Sequence, residues 1–446
     1  MSGFEFRAQL RSWVNPLARH KSTDRVFSGR FWVLVIGVLG FGLQGCVSAR
    51  MSDRKIDQLF RESKYHEASE YLKAQIGASG PGSPGSEDEL LYLLDAGLAL
   101  HQAGEYEASN AYFALAEKHA GLNDYTSVSE EVGTLLTGEN TKVYRGELFE
   151  KVLIHVYKAL NDAVMGKIES ALVEARLVHR RLEEIRAEGE PLLQQNAFAR
   201  YLSAVLYEAE GEWNDAYVDY KKTRELLPQR SFVGRDLWRV AGILGMPDEM
   251  ERWKAEYSLQ GPDIDRKQNG PLSRRSGLGE VIVIFQNGLA PEKRPDPFYP
   301  SIPRFVARFN PVSEAEVFLD GRQVGKTQVL HDVEATAIAN LDQKKAAIIA
   351  KRLAGRVAKA VVADQVRRRT NNEVLGALTE LVLVLSDQAD TRSWSLLPRD
   401  FQIFRIAVEP GTHDLQLRPI GASNLPAKTI QVAAGKKVFV SFRYMP

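Results

Sequence analysis

The sequence predicts a multidomain α plus β chain: an α-solenoid followed by a β-sandwich that carries an inserted helical pair. Three observations predict it. Between Ser52 and about Tyr257, apolar residues recur at helical spacing and strand-like alternation is nearly absent. From Glu280 onward, short period-two runs take over, separated by Gly and Pro turns. Between about 334 and 388 the helical period returns. The expected division is a leader over 1–45, a tether over 46–51, helical repeats over 52–260, a linker over 261–276 and a sheet domain over 277–446.

The leader has the layout of a secretory signal. Arg7, Arg11, Arg19, Lys21, Arg25 and Arg30 precede an apolar run from Phe31 to Leu43. That run is only 13 residues long, short of the roughly 20 that span a bilayer. Leu43-Gln44-Gly45-Cys46 resembles a lipobox, with a small residue before the cut and a thiol to receive diacylglycerol. Cys46 is the chain's only cysteine. Its acylation would give membrane lipid as one partner and leave no thiol for disulfides, thiolate metal sites or nucleophilic catalysis. Val47 follows, where an Asp would favour retention in the inner membrane; in a Gram-negative cell the expectation is an outer-membrane lipoprotein facing the periplasm. Cleavage before Cys46 removes six Lys/Arg and two Asp/Glu, taking the formal charge from +1 to −3. A near-neutral body argues against nucleic-acid binding.

The helical half carries the small-and-aromatic grammar of tetratricopeptide (TPR) repeats. The clearest copy has Ala204, Gly211, Trp213, Ala216, Tyr220 and Pro228. Ala204 and Ala216 let antiparallel helices approach, Gly211 permits the turn, Trp213 and Tyr220 fill the groove, and Pro228 stops the second helix. Weaker copies hold Gly97, Gly104, Tyr106, Ser109 and Phe113, then Gly166, Ile168 and Ala171, with a half-copy at Tyr65 and Ala68. The central positions 65, 106, 168 and 213 are spaced by 41, 62 and 45 residues, so the array is irregular. Stacked repeats form a solenoid whose concave face takes peptides or proteins. An array that only packs on the chain's own C-terminal half is the other reading.

In the second half, Glu280–Phe285 reads as a strand and the prolines from 291 to 303 as a rigid loop. Ala315–Leu319 is a strand turned by Asp320-Gly321. Gly321 to Thr327 looks like a phosphate loop but has one residue too few between its glycines and the Gly-Lys pair, so the hairpin is preferred. Ala346, Ala350, Leu353, Val357 and Val361 make a helical stripe with basic flanks, followed by a second helix at Val374, Leu378, Leu381 and Leu385. Strands return at Phe401–Ala407, His413–Leu417, Lys428–Val432 and Lys437–Phe442. Together these suggest a sandwich of the PEGA or immunoglobulin-like kind.

Several strings resemble a bacterial lipoprotein family with a TPR-like front half. They are Tyr157–Asn161, Ala171–Arg176, Val317–Gly321, Val324–Thr327, Asp332–Ala335, Val357–Ala360 and, most specific, Ala389-Asp-Thr-Arg-Ser-Trp394 within Gln388–Pro398. The resemblance implies architecture and envelope location, and no activity.

Chemistry is sparse in the sequence. No His-Glu-x-x-His, Gly-x-Ser-x-Gly or EF-hand loop is present. His331-Asp332 with Glu334 comes nearest to an acid–base cluster. Asp390, Arg392 and Trp394 are expected to form a buried joint, with a binding site as the alternative. No catalytic residue, metal or cofactor is expected. The function expected is a lipid-anchored envelope scaffold whose solenoid holds an unidentified envelope protein. The alternatives are an accessory subunit of an outer-membrane export pore, and a hydrolase with a dispersed site.

Overall fold

The computed structural model describes residues 54–78, 86–121, 143–187, 196–260, 277–370 and 389–446. Cys46, the leader, the linker 261–276 and the second inserted helix at 374–385 lie outside them. The described helices before the sheets pair into five hairpins. These are α1 (Arg54–Arg61) with α2 (Tyr65–Ala78), α3 (Glu89–Ala103) with α4 (Tyr106–His119), and α5 (Leu148–Val164) with α6 (Ile168–Ala187). Then come α7 (Ala197–Glu210) with α8 (Trp213–Leu226), and α9 (Ser231–Ile243) with α10 (Pro247–Glu256).

One turn chemistry recurs. A residue at positive φ sits two places before each second helix: Ser63 (56°), Gly104 (83°), Gly166 (73°), Gly211 (79°) and Gly245 (73°). Only glycine adopts this conformation without strain, so four of the five positions carry it. The fifth hairpin was not read from the sequence, because Pro247 stands where the others have Tyr65, Tyr106, Ile168 or Trp213. Small residues hold each pair close. A Cβ on Gly97 would lie 2.7 Å from the Phe113 ring, and Ser109 Oγ donates to the Gly97 carbonyl at 2.7 Å. Ala68, Ala171, Ala204, Ala216 and Tyr220 are fully buried. Trp213 differs from expectation: like Tyr65 and Tyr106 it is only half-buried, because it opens the second helix at the rim of the groove. Helix α8 ends at Leu226, two residues before Pro228.

The C-terminal half contains two four-stranded sheets. The first runs β10 (Lys437–Tyr444), β1 (Gly279–Asn287), β7 (Asp400–Val408), β6 (Gln328–Asp332). It is mixed: β1 pairs parallel with β10 and antiparallel with β7. The second runs β5 (Arg322–Lys326), β4 (Ala315–Leu319), β8 (Gly411–Pro419), β9 (Lys428–Val432) and is antiparallel throughout. Asp320 and Gly321 both take positive φ in the β4–β5 turn, as a two-residue hairpin requires; the region is a hairpin, and no helix follows Thr327. The proline-rich stretch is more than a loop. Its ends pair as β2 (Glu292–Pro295) and β3 (Pro303–Val306), a two-stranded arm. After β6, Asp332 Oδ1 accepts from the Ala335 amide at 2.8 Å and caps α11, which runs from Val333 to Thr370.

Both faces of the mixed sheet are covered. Val281, Val283, Phe285, Val408, Val440 and Phe442 pack on Val317, Leu415, Leu417, Ile430 and Val432 of the second sheet. The residues between them in sequence, Ile282, Ile284, Phe401, Ile403 and Phe439, join the core of the helical array. Phe401 stacks on Phe198 of α7 with ring centroids 4.6 Å apart. The first helices of the hairpins form the contact layer. Every residue of α7 from Ala197 to Glu208 is buried, and every residue of α3 from Leu90 to His101. The second helices keep one face in solvent. The order is therefore second helices, first helices, mixed sheet, antiparallel sheet, and Ser48–Pro446 forms one compact unit. The two segments read separately in the sequence share a core.

Phe401→Ala should cost about 3–5 kcal/mol and lower one cooperative melting transition that includes the helices. Circular dichroism at 222 nm showing the helices melting unchanged would contradict a shared core.

Candidate functional site: buried charge between helices and sheet

Six charged side chains meet where the first helices touch the mixed sheet. Glu208 comes from α7, Asp236 and Arg239 from α9, Glu280 from β1, Arg405 from β7 and Lys437 from β10. Strand parity places three of them. Glu280, Arg405 and Lys437 share the inward side with Ile282, Ile403 and Phe439, so they are directed at the helices. Arg405 is the hub. It reaches Glu208 at 3.0 Å, Asp236 at 3.2 Å and Glu280 at 2.9 Å, and donates to Tyr220 Oη at 2.7 Å. Lys437 bridges Glu208 at 2.9 Å and Glu280. Arg239 pairs with Glu208 and, at 2.9 Å, with Asp236. Tyr201 donates to Asp236 at 2.5 Å and Tyr220 to Glu208 at 2.6 Å.

The three carboxylates and three cations balance. Burial pushes the Glu208 carboxyl up, but Arg239, Arg405 and Lys437 together hold it well below the usual range. Burial likewise opposes ionisation of Glu280, and Arg405 and Lys437 bring it down to about 2. A cleft of about 590 Å³ opens beside the cluster, lined among others by Tyr201, Phe232, Arg235, Glu280 and Arg405.

A neutral network seals the opposite end of the same face. His101 of α3 is buried, and burial lowers its pKa to about 4, against the opposing hydrogen bond to Asn161. Its Nδ1–H donates to Asn161 Oδ1 at 2.5 Å and its Nε2 accepts from Gln286 Nε2 at 2.9 Å, an assignment fixed by the neighbours' chemistry. Gln286 Oε1 accepts from Tyr157 Oη at 2.7 Å.

Asp390, Arg392 and Trp394 form a third contact. Arg392 grips Asp390 with two hydrogen bonds of 2.9 and 2.8 Å. It also lies 3.6 Å from Asp88 and donates to the Glu87 carbonyl at 3.4 Å, with Tyr144 against its guanidinium. Trp394 packs with Phe113 and Tyr157 of the array, and its amide donates to Glu150 Oε1 at 2.6 Å. The joint thus ties the strands to the helical half, where the sequence suggested a contact within the sheet domain. Burial, reinforced by Glu147, raises Glu150 to about 7.

No family model matches the chain, and no curated protein does. The helical half is similar to solved TPR-like structures. MamA from Desulfovibrio magneticus RS-1 shares 14% identity over 48% of this chain and 92% of its own, with a TM-score of 0.30. A kinesin light chain with nearly identical TPR-like repeats, from Podosopora anserina, shares 12% over 48% and 96%, with a TM-score of 0.33. Likeness at this level carries no argument about function.

Of the His331, Asp332 and Glu334 group, Asp332 caps α11 and Glu334 lies 3.5 Å from Arg399. Among the described residues, no group of three or more His, Cys, Asp and Glu is placed to hold a metal ion. The six-charge cluster was missed in the sequence. Its one signal was a charged residue at the parity of Ile282, Ile403 and Phe439 in β1, β7 and β10.

Truncating one member of a buried ion cluster strands its partners. Arg405→Ala should therefore cost about 3–5 kcal/mol in a urea melt, and Arg392→Ala a similar amount; protease nicking in 86–88 or 143–150 would mark the second. Native-like urea midpoints would contradict both assignments. His101 binds its proton more weakly when folded, so the unfolded chain takes up protons first as pH falls from about 6.5 toward 4. Stability should drop by about 3 kcal/mol over that window, and His101→Gln should flatten the drop. An unchanged slope in the variant would show that His101 is not its source.

Proposed function

We propose that this chain is a lipid-anchored scaffold of the cell envelope, held by acylated Cys46 and presenting one rigid body to a protein partner. In a Gram-negative cell it would face the periplasm from the outer membrane. The observation that carries the scaffold reading is how the repeats are used. The first helices, which line the binding groove in open arrays, are covered by the chain's own mixed sheet. What remains exposed is the outer face of the second helices, where Leu115 of α4, Val173 of α6 and Val218 of α8 stand at 47%, 54% and 45% exposure. Aliphatic side chains on successive helices of a stiff array suit a protein partner, because docking there requires little ordering of the scaffold. Among the described residues no helix is long and apolar enough to cross a membrane.

Two measurements test this. Cys46→Ala should abolish palmitate incorporation and leave unprocessed precursor; label retained on the variant would refute the anchor. Val173→Asp with Val218→Asp should leave the melting temperature within about 2 °C, since surface changes cost little, while removing crosslinks to a partner in native membranes. Crosslinks that persist unchanged would move the partner surface elsewhere.

A further inference from the structure

We infer that the β2–β3 arm is a second membrane contact, seating an aromatic and arginine tip on an anionic phospholipid surface. The inference rests on the Cys46 anchor for its geometry. The arm tip exposes Phe298 at 84% and Tyr299 at 65%. The backbone that carries these aromatics is held by hydrogen bonds. Asp296 Oδ1 accepts from the Phe298 amide at 2.9 Å and the Tyr299 amide at 3.1 Å. The Asp296 amide donates to the Ile302 carbonyl at 2.8 Å, and the Ile302 amide to the Tyr299 carbonyl at 2.8 Å. Pro295, Pro297, Pro300 and Pro303 stiffen the same stretch. A rigid turn that holds two aromatics in water gains nothing within the fold, since neither ring is buried by it.

The arm has an inner and an outer side. Lys293 and Phe305 are paired across it and face the body, Lys293 on Glu147 and Phe305 on Phe149. Arg294 and Arg304 are paired on the outer side and exposed. Like charges placed opposite each other weaken a ribbon; Glu292, 2.6 Å from Arg294, and Asp296, which feels Arg304, offset part of the charge, and an anionic surface would add to that. Aromatic rings with adjacent arginines are the chemistry of the lipid headgroup layer.

Chain length selects a membrane over a soluble partner. Arg54 is eight residues from Cys46, a reach of at most about 29 Å. Asp57 and Arg61 of α1 line a cleft of about 600 Å³ together with Lys293, Arg294, Arg308 and Phe309 at the arm's base. Four-residue strands carry the tip only about 13 Å further. An acyl chain on Cys46 therefore keeps the arm within reach of the bilayer it enters. Phe309, beside the base, is 84% exposed and extends the apolar surface.

The test uses the lipidated full-length protein in vesicles. Because Cys46 is the only cysteine and is acylated, Phe298→Cys supplies a single thiol for an environment-sensitive fluorophore. Val218→Cys on α8 is the control. In vesicles with phosphatidylglycerol and spin-labelled lipid, the label at 298 should be quenched at least about threefold more than that at 218. Arg294→Ala with Arg304→Ala, or vesicles of phosphatidylcholine alone, should weaken tip association by about fivefold for each arginine taken off the lipid surface. Equal quenching at both sites, or none at 298 on vesicle-bound protein, overturns this inference and leaves the anchor standing. Protein that does not stay on vesicles and takes no palmitate overturns both. A label shielded only when solubilised envelope protein is added assigns the tip to a protein and overturns the membrane contact.

Discussion

Everything described depends on a mixed sheet that is buried on both faces. A strand offers its two faces to alternating residues, so β1, β7 and β10 each carry two independent messages. On one parity Val281, Val283 and Phe285 meet the second sheet; on the other Glu280, Ile282, Ile284 and Gln286 meet the helices. The first message is wholly apolar until Asn287. The second runs from charge at Glu280, through aliphatic carbons, to the amide of Gln286. The helices answer in the same order: Glu208 and Asp236 with Arg239 at one end, Phe198 in the middle, His101 and Tyr157 at the other. A slip of one residue in β1, β7 or β10 would put Glu280, Arg405 or Lys437 respectively among the valines of the sandwich, and burying an unpaired charge there is far costlier than a small defect in apolar packing. The polar ends thereby fix the register that the apolar middle alone would leave loose.

That arrangement explains why the repeats have their particular form. In an open array, a first helix needs one apolar side toward its partner and a polar side toward a ligand. Here α3 and α7 are buried all round over most of their length, and α5 is buried apart from residues such as Lys151 and Lys158. The polar groups they retain, such as His101, Asn161 and Glu208, each have a partner. The second helices carry the amphipathic pattern instead, with Phe113, Ala171 and Tyr220 inward and charged residues outward.

The sequence made some of this legible and hid the rest for physical reasons. Turns were readable because positive φ restricts the residue: Gly104, Gly166 and Gly211 each announce a hairpin, as Asp320-Gly321 does in the sheet. The turns at Ser63 and Gly245 were less plain, one lacking glycine and the other followed by proline where an aromatic was sought. Strands β4 and β9 begin and end where the alternation does. The parallel pairing of β1 with β10 was hidden, since Glu280 and Lys437 are opposite each other across more than 150 residues of chain and nothing local encodes that. The charge cluster was hidden for the same reason. Glu280 and Lys437 sit at the start of their strands, where a charged residue reads as solvated, and only the helices packed over them make it a buried one. Asp390, Arg392 and Trp394 were recognisable as a polar knot from spacing alone, but Asp88, Glu87 and Glu150, which give them a purpose, lie some 240 to 300 residues earlier.

The buried charges also bear on the proposed scaffold role. Replacing a balanced ion cluster with apolar groups is often neutral or stabilising, so its presence is weak support for stability as such. Its value is directional. An apolar interface between the array and the sheet would tolerate sliding, whereas Arg405 satisfies Glu208, Asp236, Glu280 and Tyr220 together only in one alignment. Proton occupancy within the charge cluster and at His101 reinforces the point. His101 is neutral in the fold, and Glu208 and Glu280 stay ionised well below the usual carboxylate range. A body whose layers cannot slide holds its outer helices and its β2–β3 arm in a fixed relation, as the proposed role of joining a partner to a surface requires.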